Sequence, residues 1–276
     1  MEKSIVPGYD AIIDDRTQDK GRRMLLTIDV GNTNIVAGIW EGDTLTHNWR
    51  IHTVAKKTED EYAVVFRSLF QDGGINPRNI EKACISSVVP SLSDPMIAMV
   101  QRITGRKAVV VGPEIYPSLP IGVVNPYEVG ADLVADAMAA WDKCRGACVV
   151  VDFGTALTFT VIDAKGTMYG VAIAPGLGTA VNALSRDTAQ LPFVQLAPPP
   201  QPFGKNTVQA IQAGVVYGFT GLVEYMIQKI KEEIKTEVKV VATGGLCSVI
   251  APLTRVFTLV EPDLTLYGLK LIAQFG

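Results

Sequence analysis

Two stretches of this chain carry one pattern. LLTIDVGNTNIVAGIW, at 25–40, is an apolar run that breaks at Asp-x-Gly-Asn-Thr and resumes; VVVDFGTALTFTVI, at 149–162, breaks at Asp-x-Gly-Thr-Ala and resumes. The elements expected around each break follow the same order. Strands over 24–30, 35–40 and 44–51, the last two joined by the turn EGD, form a meander of three. Strands over 147–152, 157–162 and 168–173, with DAKG as the hairpin turn, form another. A fold built from this chain must hold two copies of one mixed α/β unit, each with an acidic, glycine-hinged first turn.

The remaining signals fit that frame. Thr58 caps a helix with Glu61 as its box partner, and Tyr62, Val65, Phe66 and Leu69 recur at helical spacing. A strand over 82–86, a helix over 95–104 and a strand over 107–111 complete the first unit. A helix over 127–144 leads into the second unit, and a shorter one over 177–184 follows its meander. The proline-rich segment 190–205 excludes regular structure. Asn206 opens a long helix carrying Ile211, Val215, Leu222 and Met226, and a strand over 239–242 and a closing helix over 266–273 end the chain. Residues 1–23 are polar and of mixed charge and read as a tail.

Composition narrows the function. At 48% hydrophobic residues over 276 positions a substantial core is available. A formal charge of −3 gives no reason to expect nucleic acid or a membrane surface as partner. No uninterrupted apolar run reaches the roughly 20 residues of a spanning helix, and the N-terminus lacks the apolar core of a secretion signal, so a cytoplasmic protein is expected. Cys84, Cys144, Cys148 and Cys247 form no paired metal motif and read as reduced thiols; His47 and His52 have no third ligand nearby and read as strand surface.

The twin turns have a chemical reading. In Asp29-Val30-Gly31-Asn32-Thr33 the glycine lets backbone N–H groups approach anionic oxygens, while Asn32 and Thr33 add side-chain donors. Asp29 repels a phosphate unless Mg2+ or ordered water lies between them. Asp152-Phe153-Gly154-Thr155-Ala156 repeats the arrangement. A single Asp-x-Gly is a common tight turn; two at equivalent places in duplicated units read as the two sides of a polyphosphate site. VVATGG at 240–245 ends a strand in Thr243, Gly244 and Gly245, leaving room for a ribose or flat ring against the backbone.

In this order the three motifs resemble the phosphate and adenosine motifs of the superfamily of actin, sugar kinases and Hsp70-like ATPases. More narrowly, the chain resembles the type III pantothenate kinases, through DVGNTN at 29, SSVVP at 86, NPYEVGAD at 125, VDFGTA at 151, APGL at 174, TAQLP at 188, GKNT at 204, GVVYG at 214 and TGG at 243. The resemblance implies two tandem ribonuclease H-like domains of mixed sheet and helices, over 24–133 and 134–276, with a nucleotide cleft between them. It implies ATP-dependent phosphorylation of pantothenate to 4′-phosphopantothenate, the first step of coenzyme A synthesis, by a homodimer. Mg2+ falls to Asp29, and a monovalent cation, K+ or NH4+, to Asp152. Asp29, Gly31, Asn32, Thr33, Gly154, Thr155, Ala156, Thr243, Gly244 and Gly245 are implied nucleotide contacts.

For the acceptor, a carboxylate must orient the attacking hydroxyl and take its proton. Asp132, in the GAD motif, takes the catalytic role by resemblance, with Tyr127, Gly130 and Ala131 beside the substrate and Thr207 reaching pantothenate from the neighbouring subunit. Read as a helix face, Glu128, Asp132 and Asp136 share one side, and their repulsion requires an offsetting partner. The family motif continues GADR, and this chain has Leu133 there; leucine cannot replace a guanidinium that holds a carboxylate. Leu157 stands where the family commonly has threonine. Arg186 and Lys205 are candidate replacement charges. The alternative these departures leave open is a nucleotide-binding relative with little kinase activity.

Overall fold

The computed structural model describes residues 23–276; apart from Arg23, the expected tail lies outside the described residues. The first sheet opens with an antiparallel meander, β1 (Met24–Val30), β2 (Asn34–Glu41) and β3 (Thr44–His52). After α1 (Glu59–Asp72), β4 (Ile80–Ser87) returns parallel to β1, and after α2 (Pro90–Thr104) comes β5 (Ala108–Val110), giving the order β3-β2-β1-β4-β5. The second half begins with β6 (Gly122–Val123) and α3 (Ala131–Cys144), then a second meander, β7 (Cys148–Phe153), β8 (Ala156–Ile162) and β9 (Thr167–Pro175). There follow α4 (Leu177–Asp187), α5 (Thr207–Ile234), β10 (Lys239–Thr243), α6 (Cys247–Ile250), β11 (Leu259–Val260) and α7 (Leu264–Ile272). The second sheet reads β11-β10-β7-β8-β9-β6. Leaving aside β6, which adds to the β9 edge, the two sheets have one topology, and the duplication read from the sequence is real.

The sequence explains the layers. β1 and β7 are central strands covered on both faces, so their inner residues form near-continuous apolar runs, while the edge strand β3 alternates half-buried and exposed residues. One core lies outside the first sheet, where Tyr62, Phe66 and Phe70 of α1 and Met96 and Val100 of α2 are buried; a second lies outside the other sheet against α5. The third lies between the sheets, around α3 and α7. Those two helices come very close: a Cβ on Gly268 would sit 1.9 Å from the Ala135 carbonyl oxygen, so only glycine permits this approach. α5 is, among the described residues, the one helix long and apolar enough to cross a membrane by length and composition. Its Ile211, Val215, Val216, Val223 and Ile227 are buried in the core beside the second sheet.

Three local readings are corrected. α2 begins at Pro90, not at residue 95, and contains Pro95. Pro90 occupies the first helical turn, where a missing N–H costs nothing, and Pro95 falls inside. The helix carrying Asp132 begins at Ala131, not at 127. Asn125 takes a left-handed conformation (φ 55°), the Glu128 N–H donates to the Asn125 carbonyl at 3.0 Å, and Gly130 is the extended residue before the first turn. Glu128 therefore lies in a turn and does not share a helix face with Asp132 and Asp136. The capping box of α1 is present as read, with the Thr58 N–H donating to Glu61 Oε2 at 2.8 Å, but its buried row is Tyr62, Ala63, Phe66 and Phe70, with Val65 and Leu69 at the margin.

Candidate active site

A cavity of about 410 Å3 opens between the halves. Asp29 ends β1 on one wall and Asp152 comes near the end of β7 on the other, the same place in the repeated unit. The two loops touch: Thr33 Oγ1 and Thr155 Oγ1 share a hydrogen bond of 2.8 Å across the cleft. Each is also braced from behind by a threonine hydroxyl, at the loop glycine in one and at the residue after it in the other. Thr53, just past β3, donates its hydroxyl to the Gly31 carbonyl at 2.7 Å, and Thr179, just past β9, donates to the Thr155 carbonyl at 2.7 Å.

Of the residues singled out from sequence, Asp29, Gly31, Asn32, Thr33, Asp132, Asp152, Gly154, Thr155, Ala156, Thr243, Gly244 and Gly245 line this one cavity. Gly244 is fixed there by geometry: it has φ +90°, and a Cβ would lie 2.2 Å from Asp152 Oδ1 and 2.6 Å from the Phe153 nitrogen. Tyr127, Gly130, Ala131 and Thr207 do not line it. Tyr127 is 88% exposed, Thr207 is exposed at the start of α5, and Ala131 is buried in the core. Gly130 abuts the catalytic candidate, since a Cβ there would meet Asp132 Oδ1 at 2.5 Å.

Electrostatics set this cavity apart. Burial pushes the Asp29 carboxyl up to about 7, against a 2.6 Å hydrogen bond donated by Ser86 Oγ, with Asp132 adding to the rise and Arg50 opposing it. Asp152 is likewise raised to about 7, by burial first, then by Asp132 and Asp29, again against Arg50. Burial raises Asp132 too, opposed by the 2.8 Å hydrogen bond from the Leu133 N–H. One turn along α3, Asp136 is buried and held well above the usual carboxylate range, by burial and by Asp152; its hydrogen-bond partner is the Thr265 hydroxyl, which donates to it at 2.7 Å. The acidic pair on this helix is thus offset at Asp136 by its raised proton affinity and by a donated hydroxyl hydrogen bond. Grouped, desolvated carboxylates with raised proton affinity are a mark of a functional site.

Sequence reasoning gave no role to Arg50, Thr158, Thr179, Asp263 and Thr265, noted Ser86 only within the SSVVP motif, and read Asp136 only as a helix-face neighbour of Asp132. Ser86 could have been found: it stands beside Asp29 in the parallel register of β1 and β4. Arg50 lay in a strand whose polar face read as surface. Leu133 also lines the cavity and packs on the inter-sheet core, so no cation replaces the absent arginine at that position. Leu157, the other departure, is fully buried. Arg186 is tied to Asp187 and does not line the cavity, and neither does Lys205.

Two like sheets gripping a cleft with paired acidic turns define the class: a member of the superfamily of actin, sugar kinases and Hsp70-like ATPases. Solved structures bear out the fold. The chain resembles a conserved putative Baf family transcriptional activator from Campylobacter jejuni (TM-score 0.52, 18% identity, 90% of this chain and 96% of that one). It also resembles the activator of the 2-hydroxyisocaproyl-CoA dehydratase from Clostridium difficile, solved with bound ADPNP (TM-score 0.54, 14% identity, 91% and 94%). The sequence match is narrower. Residues 25–229 match the family described as type III pantothenate kinase. A type III pantothenate kinase of Anaeromyxobacter dehalogenans (strain 2CP-C) is 48% identical over 251 residues, 91% of this chain and 99% of that protein. The chain belongs to the type III pantothenate kinase family.

Proposed function

We infer that this chain transfers the γ-phosphate of ATP to the primary hydroxyl of pantothenate, giving 4′-phosphopantothenate and ADP, the activity of its family. The observation that carries the reading is the convergence of both Asp-x-Gly loops, the TGG turn and Asp132 on one cavity. The loops' backbone N–H groups and the Asn32, Thr33 and Thr155 side chains hold the phosphate chain from both halves. Asp132, at the first turn of α3, orients the acceptor hydroxyl and takes its proton; its raised proton affinity suits that task. The division into units over 24–133 and 134–276 belongs to the same reading; β6 joins the second sheet and α3 spans the boundary, with Asp132 in its first turn.

The site fits the cations the family implies. Among the described residues no three metal-ligating side chains cluster as a cage. Mg2+, which keeps waters and takes one or two carboxylates plus substrate phosphates, needs none. Asp29 would hold the ion, which when bound would supply charge neutralisation for the phosphates. For a monovalent cation, Asp152 stands opposite Thr158 across β7 and β8, and the Thr158 hydroxyl is buried without a hydrogen-bond partner, an oxygen free to face an ion.

A second copy of the chain completes the acceptor end. Tyr169, Val171 and Ile173 form an exposed apolar row on β9, and Phe193, Phe203 and Val208 are exposed on the segment leading into α5 and at its start. Thr207 opens α5 and does not line its own cavity, which supports its reading as a residue that reaches a neighbour's pantothenate. The setting is the cytoplasm, where coenzyme A synthesis begins. A coupled ADP-release assay with pantothenate, Mg2+ and K+ tests the reading: pantothenate-dependent ADP release is expected, and ATP binding without turnover would leave only the nucleotide-binding relative.

A further inference from the structure

Four carboxylates line the cavity, Asp29, Asp132, Asp152 and Asp263, and among the described residues that line it Arg50 is the one cation. A triphosphate entering this cavity adds several more negative charges. At short range in a partly desolvated site such repulsion is large, and a cation aimed at the phosphates is the usual remedy. Arg50 is placed for it. It stands on β3, in the first half, next to Val36 of β2 in register, and crosses the cleft so that its Nη1 lies 3.6 Å from where a Cβ on Gly245 would be. Two residues away, Asn48 donates its amide to Asp263, pinning this strand to the second half. Among the described residues the Arg50 guanidinium makes no hydrogen bond or ion pair, while its backbone pairs with β2, so the side-chain donors are uncommitted.

We propose that Arg50 is a substrate-binding residue whose guanidinium reaches from the edge strand of the first half to the phosphate oxygens of ATP, beside the TGG turn of the second. This rests on the kinase reading above and assigns the phosphate end of the site a ligand that neither acidic loop supplies. Its position supports the assignment: Arg50 lines the cavity together with both phosphate-loop turns, and its Nη1 comes up against Gly245 of the TGG turn. That is the reason to assign it to the phosphates and not to the acceptor carboxylate left without its arginine at 133. A planar fork of donors suits phosphate oxygens and discriminates Arg from Lys.

The test uses the full chain with Arg50→Ala, Arg50→Gln and Arg50→Lys. The side chain is exposed on an edge strand, so thermal denaturation of the ligand-free variants should match the wild type. In the ADP-release assay kcat/KM for ATP should fall about 100-fold in Arg50→Ala, with partial recovery in Arg50→Lys and the KM for pantothenate within about threefold of wild type. By calorimetry, ADP and inorganic tripolyphosphate should each bind at least about tenfold more weakly to Arg50→Ala, while adenosine binds as before. Loss confined to the pantothenate KM, or ADP and tripolyphosphate affinities within threefold of wild type, would overturn the proposal. If the wild type shows no turnover of pantothenate, the kinase reading fails, and the tripolyphosphate comparison still decides the role of Arg50.

Discussion

At the end of the cavity we assign to phosphate, β1 and β7 each deliver an aspartate and a loop from the same place in a repeated fold, and a threonine hydroxyl, from Thr53 or Thr179, braces each loop. At the acceptor end a single helix, α3, delivers Asp132 beside Leu133, while Tyr127 and Thr207 stand exposed elsewhere. In our reading the first region is built within one chain, with duplication supplying both loops and β3 adding Arg50. The second is assembled from a turn, a helix start and, in our reading, another subunit. On this reading the repeat supplies the two loops of the phosphate site, while the charge that offsets the phosphates and the choice of acceptor alcohol come from residues outside it.

The largest test of that contrast is Asp132→Asn. It keeps shape and removes the base, so turnover should fall by about 10²–10⁴-fold, with ADP affinity nearly unchanged. A comparable loss of ADP affinity would show that the two ends are not separable. Leu133→Arg addresses the acceptor end alone. It restores a carboxylate clamp, and the KM for pantothenate should drop about tenfold or more while the KM for ATP stays put, measured in the same assay.

The helix that carries Asp132 can also be moved. In Gly268→Ala the new methyl meets the Ala135 carbonyl and drives α7 off α3. A destabilisation of about 1–3 kcal/mol is expected, read as a lowered denaturation midpoint, with turnover falling more than ADP binding. Gly214→Ala on α5, where a Cβ meets nothing within 4 Å, is the control and should be neutral or slightly stabilising.

The smallest expected effect concerns pH. Asp29 and Asp152 are raised to about 7 in the fold from 3.8. The folded state therefore holds protons that the unfolded chain has released, and the stability this contributes is lost as pH rises from about 4 through 7. The melting temperature of the ligand-free protein should fall between pH 5.5 and 8. Asp152→Asn should flatten that slope, and binding of Mg2+ with ATP near pH 7 should release protons, measurable as a buffer-dependent heat. A melting temperature that rises over this range would remove the desolvated carboxylate pair from the account of the phosphate end.

The sequence by itself determined the duplication, both meanders, the acidic turns and the TGG turn, because each is written locally. Apolar runs interrupted by Asp-x-Gly leave few backbone choices, and a second copy makes the chance reading poor. It also fixed the family, through motifs in order along the chain. Tertiary structure decided what depends on distant segments meeting. Ser86 reaches Asp29 only because β4 lies parallel to β1. Thr33 meets Thr155 across 122 positions of chain. Asp136 is buried against Thr265 because Gly268 lets α7 close on α3. Arg50, polar on an edge strand, became a cleft residue only when β3 came to face the second half. Local propensity shapes each strand and turn, but burial and charge at a site are sums over neighbours that the chain brings together last.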